Sequence, residues 1–405
     1  MESILSTVED TLLGSLSYKI DPKSGSSYVT EKKSVTYFAS GSNIYNPHAG
    51  TKVLRFNLAS DQFIDLSSIV VSVMVSAGLT GIATPLADSG HCLFNRLRWI
   101  VSGTVVEDIE HFNIASQCFH RFLSAEKKEN TELAGFGPDP FPANGHRNVL
   151  MFPKISGLCN QPLWLPGFAL GAAGCVMELH LADGNEVFQS GEGQNTEYAL
   201  SDCRVLADVY TLSNELHDTF SKHILSGRSL VFPCKTLVST QFQLQAATPS
   251  FTLSLQRAYS RLNSVFVTMH ATPTPLLRDV NNMILSGHPE LVSARLTCGS
   301  KQYPDGHPIQ GVGQFFLRLL QTLGIVHSGS HTVEMTREQF QNTRFCAAFD
   351  LERVPSSTGS GLNASRGEAI TLEFKGLGNT HQRAHVFCHA DLIMELGDSG
   401  CVVLQ

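Results

Sequence analysis

Apolar and polar residues alternate along much of the chain with a period of two, the spacing of a half-buried β-strand. The alternation begins at residues 53–58 and continues as a β-branched run at residues 69–75. Residues 93–101 and 105–109 repeat the pattern, and Ser102-Gly103 between them indicates a tight hairpin because glycine tolerates positive φ. This part of the chain therefore predicts a β-sandwich with elaborated loops.

Further strands are predicted on both sides of a helical segment near the middle of the chain. That helix covers residues 213–225, and Gly227 is its predicted C-terminal cap. Shorter helices are predicted at residues 111–123 and 312–323, each after a strand and a turn. The remaining predicted strands are 175–181, 203–210, 235–244, 251–259, 263–270, 292–298, 344–350, 370–374, 384–394 and 401–404.

Residues 1–34 differ from the rest of the chain, because their apolar residues recur every three to four positions. This spacing predicts a short amphipathic helix. Its apolar stripe consists of Ile4, Leu5, Val8, Leu12, Leu13 and Leu16. Such a helix packs on its own domain or acts as an arm that docks on a neighbouring subunit or an internal layer, and the sequence leaves both alternatives open.

At 405 residues the chain is too long for one core, and two domains of about 200 residues are expected. We predict an arm at residues 1–34, a first β domain at 35–212, a linker helix at 213–229 and a second β domain at 230–405.

The two predicted β domains share an order of elements. A strand, a glycine turn and a helix come one after another around Gly103 and again around Gly299. These glycines lie 196 residues apart (299 − 103), close to half the chain length. The spacing indicates a duplicated β domain.

Composition excludes several classes of protein. No run of 18 apolar residues is present, and the first residues lack the basic and apolar regions of a secretory signal. The ten cysteines form no C-x-x-C pair, which favours free thiols in a reducing compartment. A net charge of −7 without a polybasic tract argues against binding of nucleic acid through a basic surface.

The segment from Gly397 to Cys401, Gly-Asp-Ser-Gly-Cys, matches the nucleophile motif of trypsin-like serine proteases. Only four residues come after Cys401, whereas that fold needs further strands and a helix to complete its substrate pocket. We therefore interpret the segment as a turn into the last strand.

Four potential metal ligands, His381, His385, Cys388 and His389, lie close together near the C-terminus. Because residues 384–390 alternate like a strand, His385 and His389 would be about 13 Å apart, too far for one ion. We therefore expect no metal, cofactor or catalytic residue.

The remaining candidates have structural explanations that we prefer. Two are the histidines His217 and His223 on the linker helix, and others are the carboxylates Asp61, Asp65, Glu107, Asp108 and Glu110. The glycosylation sequon at Asn363 is a further candidate. The glycines Gly359 and Gly361 lack the Lys-Ser/Thr that follows in a phosphate-binding loop.

Several segments, taken in order, resemble the major capsid proteins of small eukaryotic double-stranded DNA viruses, the polinton-like virus and virophage-related group. They are residues 54–58 with 63–68, residues 93–98 with 103–109 and 112–113, residues 210–212 with 223–230, and residues 389–396. The matching segments occur in both halves of the chain, and none is a catalytic signature.

The resemblance implies an all-β fold of two tandem eight-stranded jelly rolls, a double jelly roll, with short excursion helices. It also implies a homotrimer of near-hexagonal outline that tiles an icosahedral shell of the virion. Neighbouring capsomers, penton proteins and minor capsid proteins would be its partners, and residues 1–34 would reach a neighbour, an internal membrane or a minor protein. No enzymatic activity, cofactor or sequence-specific nucleic acid is implied.

Two other functions remain open at this point. A jelly-roll carbohydrate-binding (lectin-like) module would need aromatic platforms, and the chain has only Trp99 and Trp164, both in or near the predicted core. An enzyme of the cupin type would need a close pair of histidines with a carboxylate on strands, which the sequence does not show.

Overall fold

The computed structural model describes most of the chain. The described residues are 28–48, 50–77, 81–124, 127–128, 133–137, 139–191, 194–245, 249–270, 290–326, 328, 333–353, 360–365, 368–378, 383–398 and 400–404. The predicted amphipathic helix, His381 and Gly359 lie outside these residues.

The first half of the described chain forms two antiparallel sheets. Its strands are β1 (Val29–Ser40), β2 (Ile44–Tyr45), β3 (Val53–Leu58), β4 (Phe63–Ala77), β5 (Phe94–Val101), β6 (Thr104–Ile109), β7 (Gly145–Met151), β8 (Leu165–Pro166), β9 (Cys175–Leu181) and β10 (Tyr198–Leu212). One sheet has the order β1-β10-β4-β7 and the other β3-β9-β5-β6. The end of β1 crosses to the second sheet, where Ala39 and Ser40 pair with β3.

The second half repeats this arrangement. Its strands are β11 (Leu230–Gln243), β12 (Ser250–Leu255), β13 (Leu262–His270), β14 (Ser293–Cys298), β15 (Lys301–Tyr303), β16 (Ile309–Gln310), β17 (Ala347–Asp350), β18 (Ile370–Lys375), β19 (Arg383–Gly397) and β20 (Gly400–Leu404). The sheet orders are β11-β19-β13-β17 and β12-β18-β14-β15.

Both halves have the same topology when the short strands β2, β8, β16 and β20 are set aside. In each half, the first, eighth, third and sixth long strands form one sheet, and the second, seventh, fourth and fifth form the other. This order is that of an eight-stranded jelly roll. The predicted fold class, two tandem jelly rolls, is therefore confirmed.

One helix occupies the equivalent place in each of the two barrels. The helices are α1 (Phe112–Arg121), α2 (Gly184–Val187), α3 (Asn214–Leu225), α4 (Val312–Thr322) and α5 (Arg337–Asn342). Helix α1 lies between the fifth and sixth long strands of the first barrel, and α4 lies at the same place in the second. Helix α3 connects the barrels, and Gly227 after it has a positive φ of 80°, as a C-terminal cap requires.

Strand β1 begins at Val29, so residues 29–34, which were predicted to be part of the arm, belong to the first barrel. They pair with the end of β10, where Val29 lies opposite Leu212. The alternation pattern missed this strand because both of its faces carry charged or exposed side chains over residues 30–34. The other proposed domain limits stay predictions.

The loop before β7 carries two aromatic residues that are buried. Phe136 and Phe141 are fully buried, and their rings lie 6.2 and 5.7 Å from that of Phe188. These aromatic residues therefore pack into the hydrophobic core, while Leu133 remains 85% exposed.

Candidate functional site: the junction between the two barrels

The two barrels meet along a junction made by β6 and α1 of the first and by β11, β19 and β20 of the second. Contrary to the expectation of separate cores, buried apolar residues of both barrels belong to one continuous core. Polar contacts also cross the junction: the Thr104 hydroxyl donates to the Cys401 carbonyl at 3.1 Å, and the Arg121 guanidinium donates to the Thr343 carbonyl at 3.0 Å. The barrels are thus packed as one body.

Glu107 of β6 lies at the centre of this junction and is only 2% exposed. Its carboxylate accepts hydrogen bonds from the Ser156 hydroxyl at 2.5 Å, the Gly157 N–H at 2.8 Å and the Thr236 hydroxyl at 3.0 Å. Burial raises the pKa of Glu107, and these hydrogen bonds oppose that rise. Since Thr236 belongs to β11, one carboxylate joins the two barrels.

Gly157 is required by the close approach of the barrels. A Cβ atom at this position would lie 2.1 Å from the carbonyl oxygen of Lys235, which is backbone and cannot move aside. Any other residue would push the loop around Gly157 away from β11, and it would also displace the N–H that donates to Glu107.

Helix α1 carries an aromatic contact across the junction. The ring of Phe119 lies 5.2 Å from that of Phe266 at an angle of 83°, and 5.7 Å from that of His389, on which it stacks. Such aromatic pairs stabilise an interface beyond the area they bury.

A second group of rings lies further along the same junction. His385 is fully buried, and its ring lies 5.3 Å from that of His111 and 4.9 Å from that of His270. Neither ring nitrogen of His385 has a hydrogen-bond partner among the described residues. Burial, with His111 and Arg383 nearby, lowers the pKa of His385 to about 3, so the ring is neutral at pH 7.

An open groove of about 910 Å³ runs along the junction beside α1. Apolar side chains form its floor, among them Phe119, Ile155 and Leu392. Ser116 and His120 of α1 also line it. Its charged residues are Lys154, Lys235, Arg261 and Asp391.

Exposed apolar side chains lie on either side of Glu395 where β11, β19 and β20 pair. Val231 and Val402 both lie opposite Glu395 of β19, and they are 49% and 51% exposed. Leu404, two residues beyond Val402 on β20, is 50% exposed. We call Val231, Val402 and Leu404 the β20 patch; exposed apolar patches are typical of interaction surfaces.

The structure separates the residues that resembled catalytic or metal sites. Gly397 and Gly400 pair with each other in the hairpin between β19 and β20, so the protease-like motif is a turn. His385 contacts other histidines, whereas His389 packs against Phe119 and Phe266. Within the described residues, no group of three His, Cys, Asp or Glu side chains could hold a metal ion.

The acidic candidates and the sequon have structural roles. Asp65 accepts from the Ser67 N–H at 2.9 Å, and Asp108 makes a two-bond ion pair with Arg96 at 2.7 and 2.6 Å. Asn363 accepts from the Ser365 N–H at 2.9 Å.

The two tryptophans lie in different environments. Trp99 is fully buried and donates to the Ser156 hydroxyl at 3.1 Å. The ring of Trp164 is stacked on Tyr210 at 3.9 Å, so one of its faces is covered.

Sequence reasoning missed Glu107 as a junction residue, because its partner Thr236 lies 129 positions away.

Solved structures of other proteins share this fold. The structure of PBCV-1 VP54, fitted into a cryo-EM reconstruction of the virophage Sputnik, matches with a TM-score of 0.66 at 12% identity over 93% of this chain and 97% of that chain. The Faustovirus major capsid protein matches with a TM-score of 0.52 at 8% identity over 90% of each chain. The mavirus major capsid protein matches with a TM-score of 0.50 at 9% identity over 92% of this chain and 90% of that chain.

These likenesses extend over nearly the whole chain, and the chain has the double jelly-roll fold of viral capsid proteins. No protein-family model and no curated protein sequence matches it. Among the described helices, none combines the length and the apolar character that crossing a membrane requires.

Proposed function

We propose that this chain is a viral major capsid protein that assembles as a homotrimer and tiles an icosahedral shell in the virion. The observation that carries the proposal is the pair of barrels with identical strand order in one chain. Three such chains supply six similar barrels, so a threefold cluster packs with nearly sixfold outline. Similarity to solved capsid proteins over nine-tenths of the chain supports it.

The fixed junction between the barrels supports the same function. A capsomer keeps its outline only if its barrels do not rotate against each other. Here the continuous core and the buried Glu107 hold them together. We therefore assign the junction a structural role, and we propose no catalytic activity for the chain.

Contacts between chains need apolar surface that a single chain leaves exposed. The β20 patch provides such surface next to the junction. The loops at 133–148, 271–290 and 353–367 are further contact candidates. Residues 271–289 and 354–359 lie outside the described part of the chain.

The same proposal implies further partners. Trimers contact neighbouring capsomers, penton proteins and minor capsid proteins. The arm contacts a neighbouring subunit, an internal membrane or a minor protein beneath the shell. Sequence-specific nucleic acid is not a partner, since the net charge is −7.

Light scattering coupled to gel filtration, with electron microscopy of the same sample, tests this function. We expect the purified protein to run as a trimer and to form particles with pseudo-hexagonal capsomers. Val402→Glu in the β20 patch should shift trimers to monomers, because it buries a charge in an apolar contact. The control is Ser254→Glu on the exposed face of β12, which should remain trimeric. A wild-type monomer at micromolar concentration would overturn the proposal.

A further inference from the structure

The accessible lining of the groove beside α1 is mostly apolar, which favours an occupant with an apolar face. Ser116 and His120 line it and are only 4% and 5% exposed. The Ser116 hydroxyl and both ring nitrogens of His120 make no hydrogen bond to any described residue. These atoms are buried beneath the surface of the groove and out of reach of an occupant, so they do not determine what binds there.

The charged residues of the groove give it a basic rim, which we define as Lys154, Lys235 and Arg261. Lys235 is partly neutralised by Glu352 at 2.6 Å. Among the described residues that line the groove, Asp391 is the one carboxylate, and it accepts from Asn263 at 2.5 Å. Positive charge therefore exceeds negative charge at this opening, which favours an acidic occupant.

Residues 1–16 of the chain have the complementary pattern. Their apolar stripe is as wide as the face of a docking helix. On a helix with 3.6 residues per turn, Glu2 and Glu9 fall between Leu16 and Leu13 on one side of this stripe, and Thr11 and Ser15 flank Ile4 on the other. No lysine or arginine occurs before Lys19. An apolar face with acidic residues on one side thus corresponds to an apolar groove with a basic rim.

The described chain begins close to the groove. Lys32 of β1 lies opposite Tyr210 in the sheet, and Trp164 stacks on Tyr210. Trp164 comes only two residues after Pro162, which lines the groove. Residues 19–27 can span about 30 Å when extended. The first 18 residues can therefore reach the groove of their own chain.

We propose that residues 4–16 dock in this groove of their own chain as an amphipathic helix. Glu9 meets the basic rim, and the apolar stripe covers the apolar side chains of the groove. In the free subunit the arm is thereby held against the junction. Partners of the arm in a shell must compete with the groove for it.

Photo-crosslinking of the full-length protein, kept dilute and unassembled, tests the docking. A photoreactive phenylalanine derivative replaces Leu12, which lies in the apolar stripe, and in a matched control it replaces Asp10, which lies outside the stripe. We expect the Leu12 position to crosslink to peptides that contain α1, residues 152–162 or β19, and the Asp10 position to give much less of these products. In a mixture with isotope-labelled chains, the crosslinks should stay within one chain.

A charge swap separates docking from general damage to the fold. Lys154→Glu should lower the crosslink yield by about threefold, and adding Glu9→Lys should restore it. Crosslinks spread over other surfaces, or formed between chains, would overturn the proposal. Crosslinking of the Leu12 position to added anionic phospholipid vesicles in place of the groove would also overturn it. The same holds if Lys154→Glu leaves the crosslink yield unchanged. Because the protein is unassembled, the result does not depend on the proposed capsid function.

Discussion

At the scale of single residues, Glu107 makes a contact with the second barrel that the alternating pattern of its strand does not predict. In the sequence it belongs to an acidic run with Asp108 and Glu110, for which a solvated or capping role is the natural expectation. Asp108 fits that expectation, since it pairs with Arg96 on a partly exposed face. Glu107 is instead buried by the second barrel, and no local pattern reports a contact of that kind.

Replacing Glu107 separates its hydrogen bonds from its charge. Glu107→Ala should lower the free energy of unfolding by about 3 kcal/mol, because it leaves the Ser156, Gly157 and Thr236 donors buried without an acceptor. Glu107→Gln keeps one acceptor oxygen and should cost only about 1 kcal/mol. Urea unfolding monitored by tryptophan fluorescence measures both values. An equal loss in the free energy of unfolding for the two variants would show that the lost hydrogen bonds do not cause the destabilisation.

At the scale of secondary-structure elements, β19 shows both the strength and the limit of sequence reasoning. The alternation of residues 384–390 predicts a strand, and β19 covers them. This spacing also separates His385 from His389, as expected from strand geometry. That His385 would meet His111 and His270 is not predictable, because the three residues come from different elements of the two barrels.

The missed strands have a common physical cause. Strand β7 begins Gly145-His146-Arg147-Asn148, and apolar residues occupy only its second half. Strand β1 carries charged residues on both faces over its first half. A period-two signal requires one face to be buried along the whole strand, so such strands give no signal. The buried loop residues Phe136 and Phe141 give none either, because a loop has no regular period.

The histidines at the junction should make the protein sensitive to acid. Burial lowers the pKa values of His91, His120 and His389 to about 4 and that of His385 to about 3. An unfolded histidine titrates near 6.5, so below this pH the unfolded chain binds more protons and stability falls. Glu107, whose pKa is raised, acts in the opposite direction and weakens the effect.

His385→Phe tests this pH dependence, since the ring of His385 has no hydrogen bond to a described residue that the substitution would remove. At pH 5 the variant should be more stable than the wild type by about 1–2 kcal/mol, with a smaller difference at pH 8. Thermal unfolding between pH 5 and pH 8 measures it. The exposed His307→Phe serves as the control and should leave the profile unchanged. An equal loss of stability at every pH for His385→Phe would contradict the lowered pKa of His385.

At the scale of the whole molecule, the duplication of a β domain could be predicted from the sequence, and the contacts between barrels could not. The spacing of Gly103 and Gly299 indicated a duplication, and both glycines lie in the hairpin between the fourth and fifth long strands of their barrel. The junction depends on close approaches such as that of Gly157 to Lys235, which join distant parts of the chain.

Deletion of the N-terminal arm tests its role in shell assembly, and the pairing of β1 defines which residues can be removed. Deletion of residues 1–34 would remove half of β1, because Glu31 to Ser34 pair with β10. Deletion of residues 1–27 leaves this pairing intact, so we expect trimers of normal stability. Closed shells should not form, because contacts beneath the shell are lost. Electron microscopy of assembly reactions measures this, with a Gly/Ser segment of equal length in place of residues 1–27 as the control for chain length. Shells of normal size and yield from the deletion variant would show that the arm has no part in assembly.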